Sequence, residues 1–505
     1  MYPRYLTKSR FKLACECPTK LWYTGKRDYA NQSLTDTFLA ELAKGGYQVG
    51  ELAKCYHPGG VDITTLDHEE ALSETSALLR CENTIIYEAA VAFSNLFIRV
   101  DVLVKQGTVL NLIEVKAKSV DSDPGETFLN RDGSIRAKWR SYLYDVAFQK
   151  YVLTHAFPDH TVNAFLLLVD KTALCPTDGL NQKFRVARDA GGRLNVRVPA
   201  DLSAEDLTPP ILRKVNVDEY VGMIWAGRDS RDPPDLSFNE RIILYADHYE
   251  RDEKLPPRIG SVCQSCEFYC TPEDEANGLQ SGLEECWSEV LGWTEEDFRQ
   301  PTVLDLWNYR KKDALIEQGR FHMRDVQQSD INPQPDGKPG ISTSERQWLQ
   351  VRKVRDNDKT VWLDRAHLRR EIDSWTYPLH FIDFETTMVA IPFNSGRRPY
   401  EEIAFQFSHH LLHEDGRVEH AGEYINVEPG VFPNYDFVRA LKRELEGDDG
   451  VIFRYAAHEN TYLCKIDTQL RSDPVDIPDR AQLCAFIRSI TRATGGSTEP
   501  WHGER

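Results

Sequence analysis

Asp101 stands in the run "FIRVDVLV", and Glu114 and Lys116 stand in "VLNLIEVK". Both runs are otherwise rich in Val, Ile and Leu and read as β-strands, with Gln106 and Gly107 as the turn between them. Acids set among such neighbours are costly unless paired or metal-bound. Glu114 and Lys116 are two apart and therefore face the same side of their strand. Two carboxylates and an ammonium can thus converge, a set able to hold a divalent ion and to offset charge on a phosphate. The alternative is a cross-strand salt bridge from Lys116 to Asp101 or Glu114. The supporting elements are a third strand, "IIYE", ending at Glu88, a basic segment, "RDGSIRAKWR", and a helix over "SYLYDVAFQKYVLTHAF" with Gln149 near its middle.

A second group is made of cysteines. Cys17 lies in "CECPTKLWY", Cys263, Cys266 and Cys270 in "CQSCEFYC", and Cys286 in "LEECW". A Cys-x-x-Cys pair lets two sulfurs reach one ion and often opens a tetrathiolate site. A zinc knuckle or plain packing are the other readings of the pair. Cys55, Cys81, Cys175, Cys464 and Cys484 are isolated and read as packing residues.

A third group lies near the end. In "LHFIDFET", Asp383 and Glu385 share one face of an apolar strand. "PYEEIAFQFSHHLL" reads as another strand, and "GVIFRYAAHENTYLCKI" as a strand leading into a helix with Glu459 at its start.

Over roughly residues 1 to 290, with Asp101, Glu-x-Lys at 114 to 116 and Gln149 on the following helix, the chain resembles the PD-(D/E)xK nucleases of the RecB type. It is most similar to the iron-sulfur exonucleases associated with CRISPR adaptation. The resemblance implies a restriction-endonuclease-like mixed sheet flanked by helices, with Glu88, Asp101 and Glu114 binding one or two Mg²⁺ or Mn²⁺ ions. It further implies that Lys116 orients the attacking water and that Gln149 contacts the DNA backbone or the site. Those relatives have a histidine on an early helix. Here "ELAKGGYQVGELAKCYHPGG" has none in its helical part, and His57, just beyond, reads as a loop residue rather than a ligand. The Cys-Pro-x-Lys-x-Trp setting of Cys17 matches the relatives' N-terminal cluster cysteine. The resemblance therefore implies a structural [4Fe-4S] cluster on Cys17, Cys263, Cys266 and Cys286, with zinc as the alternative and Cys15 and Cys270 as spares.

The third group resembles the RNase H-like DEDD exonucleases of the DnaQ type, in which Asp383, Glu385 and Glu459 would hold metal ions. The order of the two halves, with "PYEEIAFQFSHH", resembles a bacterial family of two-domain proteins. A DEDD domain also needs a last Asp with a His or Tyr base, and after Cys484 only "AFIRSITRATGGSTEPWHGER" follows. The expectation is an RNase H-like domain incomplete at its C-terminal end, without exonuclease activity, and His502 is not taken as the missing base.

The 505 residues carry 61 Lys+Arg against 79 Asp+Glu, a net charge of -18, with 41% hydrophobic residues. This length predicts more than one domain and excludes wholesale disorder. The punctuation divides the α/β chain into a nuclease domain over 1–293, a helical connector and linker over 294–374, including "NPQPDGKPGIS", and the second domain over 375–505. Residues 1 to 150 balance 19 basic against 19 acidic side chains, whereas 251 to 300 hold 4 against 12, so the acidic total does not exclude a local basic groove near the first site. No apolar run approaches the roughly 20 residues of a membrane helix, and eleven cysteines without a signal peptide point to the cytoplasm rather than to disulfides. The function expected is a metal-dependent DNA nuclease acting on single-stranded or end-bearing DNA in repair, recombination or defence. A non-catalytic nucleic-acid or partner-binding scaffold is the alternative, and a zinc-binding RNA-processing factor a distant third.

Overall fold

The computed structural model describes residues 4–121, 128–188, 194–229, 235–338, 340–454 and 456–491. It is a mixed α/β structure with open mixed sheets flanked by helices. The chain divides into two compact units. The first is Met1–Ala173, Lys183–Ile331 and Leu349–Asp356, and the second is Leu174–Gln182, Asn332–Trp348 and Asn357–Arg505. The stretch expected as a connector is therefore shared between them. Its first part is not one helix but short pieces, Val303–Asp305, Lys312–Glu317 and Met323–Asp325. Asn308 (φ 50°) and Gly319 (φ 72°) break it, since left-handed backbone cannot continue a right-handed helix. Among the described residues no helix is long and apolar enough to cross a membrane.

In the first unit the strands are β1 (Leu6–Thr7), β2 (Val61–Asp62), β3 (Asn83–Phe93), β4 (Leu96–Gln106), β5 (Val109–Val120), β6 (Thr161–Asp170) and, past a separate ribbon of β7 (Arg185–Arg188) and β8 (Leu194–Arg197), β9 (Leu212–Asn216). The main sheet runs β2-β3-β4-β5-β6-β9, with β1 added parallel to β4. Two tight turns, at Ser94 (φ 54°) and Gly107 (φ 56°), make β3-β4-β5 an antiparallel meander. The parallel step from β5 to β6 needs a crossover. Among the helices α1 (Lys8–Glu16), α2 (Lys20–Tyr23), α3 (Thr37–Cys55), α4 (His68–Leu78) and α5 (Ala137–Ala156), that crossover is α5. It buries Trp139, Leu143, Phe148 and Val152 in the core, and Phe11 of α1 stacks on Phe148 with ring centres 4.6 Å apart. That stacking seats α1 over the same end of the sheet as the middle of α5.

The second unit has a sheet ordered β12-β11-β10-β13, from β10 (Leu379–Thr387), β11 (Ile403–Leu412), β12 (Val418–Ile425) and β13 (Ile452–Phe453). The first three are antiparallel neighbours, and β13 is parallel to β10. Period-two alternation turns Ile382 and Phe384 into a core with Phe407, Phe437, Leu441, Leu463 and Ile466. The helices Asn434–Leu445, His458–Ser472 and Arg480–Ile490 supply the rest of that core.

Candidate active site

In the strand register Glu88, Asp101 and Glu114 form one row across β3, β4 and β5. Tyr87 pairs with Val102 and Ala89 with Val100, which sets Glu88 opposite Asp101, and Val102 pairs with Ile113, which sets Asp101 opposite Glu114. Both ladders are interrupted at this row, one briefly and one for good. Glu88 is the residue at which the β3-β4 pairing skips, and its φ of 53° is a conformation that costs a non-glycine residue free energy. The β4-β5 pairing ends at Val102 and Ile113. The strands fork there, β1 takes over the freed flank of β4 at Leu96 and Phe97, and α1 begins with Lys8 directly after β1.

The side chains close the gap the backbone leaves. Asp101 Oδ2 accepts from the Val115 backbone N–H at 2.7 Å, in place of a ladder bond. The Lys8 ammonium lies 3.1 Å from Asp101 Oδ1 and 3.1 Å from each Glu114 oxygen. Lys116 bonds Glu114 Oε1 and stands 3.1 Å from Asp145 Oδ2. From α5, Gln149 Nε2 donates to Glu114 Oε2 at 2.7 Å and to Asp145 Oδ1 at 2.9 Å, one helical turn away. Gln149 Oε1 is then a buried acceptor without a partner. Glu114, Asp145 and Gln149 are fully enclosed, while the side chains of Lys8, Asp101 and Lys116 keep 20 to 23% exposure, so the site is open on the side of the two ammonium groups and Asp101.

This burial sets the protonation states. Burial, and then the Glu114 charge, push the Asp101 carboxyl up to about 7 against the pull of Lys8 and Lys116. Burial alone would also raise Glu114, but Lys116 and Lys8 outweigh it and hold this carboxyl well below the usual range. For Lys116 and for Lys8 burial works to lower the pKa, and the surrounding carboxylates reverse it, so both are firmly ammonium. Burial raises Glu88 as well. Four carboxyl groups thus face two ammoniums, and the two that are raised, Asp101 and Glu88, hold protons that a divalent ion would displace.

Asp101, Glu114, Lys116, Glu88 and Gln149 are therefore brought together. Lys8 and Asp145 belong to the same constellation and were not anticipated from the sequence. His57 is not part of it: its Nδ1 lies 2.9 Å from the Ala53 carbonyl and it closes the end of α3.

The cysteines meet elsewhere in the first unit. Cys17 caps α1, with its N–H on the Leu13 carbonyl at 3.0 Å. Cys263 lies in a turn over Ser261–Ser265, Cys266 closes that turn, and Cys286 sits in the helix Gly282–Leu291. The four sulfur-bearing residues line one cavity together with Lys20, Tyr23 and Arg258. Gly282 permits the approach of its helix, because a Cβ there would press on the Tyr23 ring and on Phe268 at 3.1 Å. Backbone bonds from Ala30 to Gln280 (3.0 Å) and from Gln32 to Glu267 (2.9 Å) bind the N-terminal segment to this region. Burial pushes the thiols of Cys263, Cys266 and Cys286 up, Cys266 to about 12 and Cys286 to about 11. Cys270 is directed away, with its Sγ 3.5 Å from the Leu279 carbonyl, and Cys15 packs against the core. Helix α1 consequently holds Lys8 in the carboxylate site at one end and leads into Cys17 at the other, about 13 Å along the axis.

In the second unit Asp383 and Glu385 lie side by side on the exposed face of β10, and Glu459 is buried in the first turn of the helix His458–Ser472 with Oε2 unpartnered. His458 Nε2 lies 2.9 Å from Thr386 Oγ1, which brings that helix start to the end of β10. His502 lies outside the described residues. Among the described residues, no three or more His, Cys, Asp or Glu side chains are arranged as a ready ligand set for one ion.

Residues 380–488 match a family described as a domain of unknown function, DUF2779. No curated protein and no solved structure matches the chain. The matched segment runs from β10 to the helix Arg480–Ile490 and so contains Asp383, Glu385 and Glu459.

Proposed function

We propose that the first unit is a divalent-metal-dependent DNA nuclease of the PD-(D/E)xK type. The observation that carries this reading is the fork between β4 and β5, where Asp101, Glu114 and Lys116 meet with Gln149 bonded to Glu114. Asp101 and Glu114, with Glu88 beside them, would hold Mg²⁺ or Mn²⁺, which when bound lowers the pKa of water and offsets charge on the scissile phosphate. Lys116 is an ammonium and so cannot take a proton from water. It supplies positive charge and a hydrogen-bond donor where negative charge develops. Asp145 and Gln149 hold Lys116 and Glu114 in place, and the open side admits a strand.

The thiol-lined cavity fits an inorganic group. Four sulfurs come from three separate chain segments, and Lys20 and Arg258 bring positive charge that suits thiolates. Four cysteine sulfurs around one cavity suit a cluster of several irons, with a single tetrahedral zinc as the alternative. The strand order of the second unit, with Asp383 and Glu385 on its central β10, supports an RNase H-like module.

A binding scaffold is the second reading, favoured by the way Lys8 already neutralises Asp101 and Glu114. The two are separated by incubating the whole protein with end-labelled DNA and Mn²⁺. The nuclease reading requires cleavage that EDTA abolishes and Glu114→Gln removes. DNA bound intact under the same conditions would favour the scaffold.

A further inference from the structure

Lys8 has a property that Lys116 lacks. Lys116 reaches past Glu114 to Asp145, whereas all three of the Lys8 contacts are to oxygens of Asp101 and Glu114. Asp101 Oδ2 is taken by the Val115 N–H, which leaves Oδ1 for an ion, and Oδ1 is the oxygen that Lys8 holds. Glu114 gives Oε1 to Lys116 and Oε2 to Gln149, and Lys8 approaches both. An ammonium and a divalent ion cannot use these oxygens together, because each needs the same lone pairs and two adjacent cations repel. The Lys8 side chain is unbranched, starts at the first residue of α1 and keeps 21% exposure, so it has a path out of the site that stays within reach of it.

Resting on the nuclease reading, we propose that Lys8 is a positioning residue that acts as a tethered competitor of the metal ion. It neutralises Asp101 and Glu114 until the ion enters, and is displaced toward the open rim when it does. Two consequences separate this from a plain salt bridge. Removing the ammonium without removing its volume strengthens ion binding, whereas loss of a merely structural lysine would leave it equal or weaken it. Ion binding also uncovers the Lys8 amine.

The experiment titrates Mn²⁺ into the whole protein by calorimetry, comparing wild type, Lys8→Met and Glu114→Gln. Lys8→Met should bind Mn²⁺ at least about tenfold more tightly than wild type, because the like charge that holds the same oxygens is gone. Equal or weaker binding by Lys8→Met overturns the inference while leaving the nuclease reading intact. Mn²⁺ binding by neither wild type nor Lys8→Met overturns both. A readout on the wild-type protein guards against misfolding of the variant: reductive methylation of Lys8, mapped by mass spectrometry with Lys12 as reference, should rise when Mn²⁺ is added. Methylation that is unchanged or falls contradicts displacement.

Discussion

Asp101 accepts a hydrogen bond from the backbone N–H of Val115, the residue after Glu114, at 2.7 Å. A side chain of β4 thereby does the work of a ladder bond at the point where β5 departs, and the two carboxylates of the fork are fixed by the same contact. Asp101→Asn keeps an oxygen for this bond and loses the charge, whereas Asp101→Ala leaves the Val115 N–H unpaired, which costs roughly 1–3 kcal/mol when buried. Both substitutions should abolish Mn²⁺-dependent cleavage. In thermal melts Asp101→Ala should unfold below Asp101→Asn, and equal midpoints would mean that the bond does not hold the fork.

The raised Asp101 carboxyl makes ion binding depend on pH. Its folded pKa, near 7, lies above its ordinary value of 3.8, so the proton stabilises the folded state. That stability is fully present below the ordinary value and is lost as pH rises through about 7. An ion competes with that proton. Saturating Mn²⁺ should therefore raise the melting temperature more at pH 8 than at pH 5.5. An ion at 100 times its Kd contributes about 2.7 kcal/mol. A shift of the same size at both pH values would detach Asp101 from the ion.

The cysteine cavity predicts a brown protein when purified without oxygen, with broad visible absorption lost in Cys17→Ser. Because Cys17 directly follows α1, loss of the group it would help to hold should also lower the thermal midpoint by several degrees and loosen hydrogen exchange along Lys8–Glu16. A colourless protein with stoichiometric zinc would replace the cluster by a tetrathiolate ion.

In the second unit Gly450 lies where a Cβ would collide with the Pro378 carbonyl and come within 2.8 Å of His380 Nε2. That ring lies 2.9 Å from Asp448 on one side and 2.9 Å from the His409 ring on the other, wholly buried. Gly450→Ala should destabilise this unit by about 1–3 kcal/mol, as overpacking does. Faster hydrogen exchange in Leu379–Thr387 would report it, and unchanged protection would show that the β10-β13 contact is slack.

Much of this was legible in the sequence because chemistry and periodicity coincided. "FIRVDVLV", "VLNLIEVK" and "LHFIDFET" alternate or run apolar around their acids, and the structure extends or matches those strands. The row of Glu88, Asp101 and Glu114 was also available, because the two tight turns make the spacing of 13 residues between successive acids a statement of register. Lys8 carried no comparable signal, since it lies 93 residues from Asp101 and only the packing of α1 on α5 brings them together. Asp145 had a weak one, its spacing of four from Gln149, in a helix whose middle from Leu143 to Gln149 is buried all round. The connector misled because Leu304, Leu306, Trp307 and Leu315 fall at a mixed helical spacing, while Asn308 and Gly319 interrupt the helix.

Lys116→Ala asks whether Lys116 acts on the phosphate at an ion site built on Asp101 and Glu114. With Mg²⁺ or Mn²⁺ and end-labelled DNA, turnover should fall by about a hundredfold or more, in the range seen when one oriented donor is removed. DNA binding measured in Ca²⁺ and the visible absorption should remain within a few-fold of wild type. Cleavage by Lys116→Ala at the wild-type rate would show that Lys116 takes no part in the reaction.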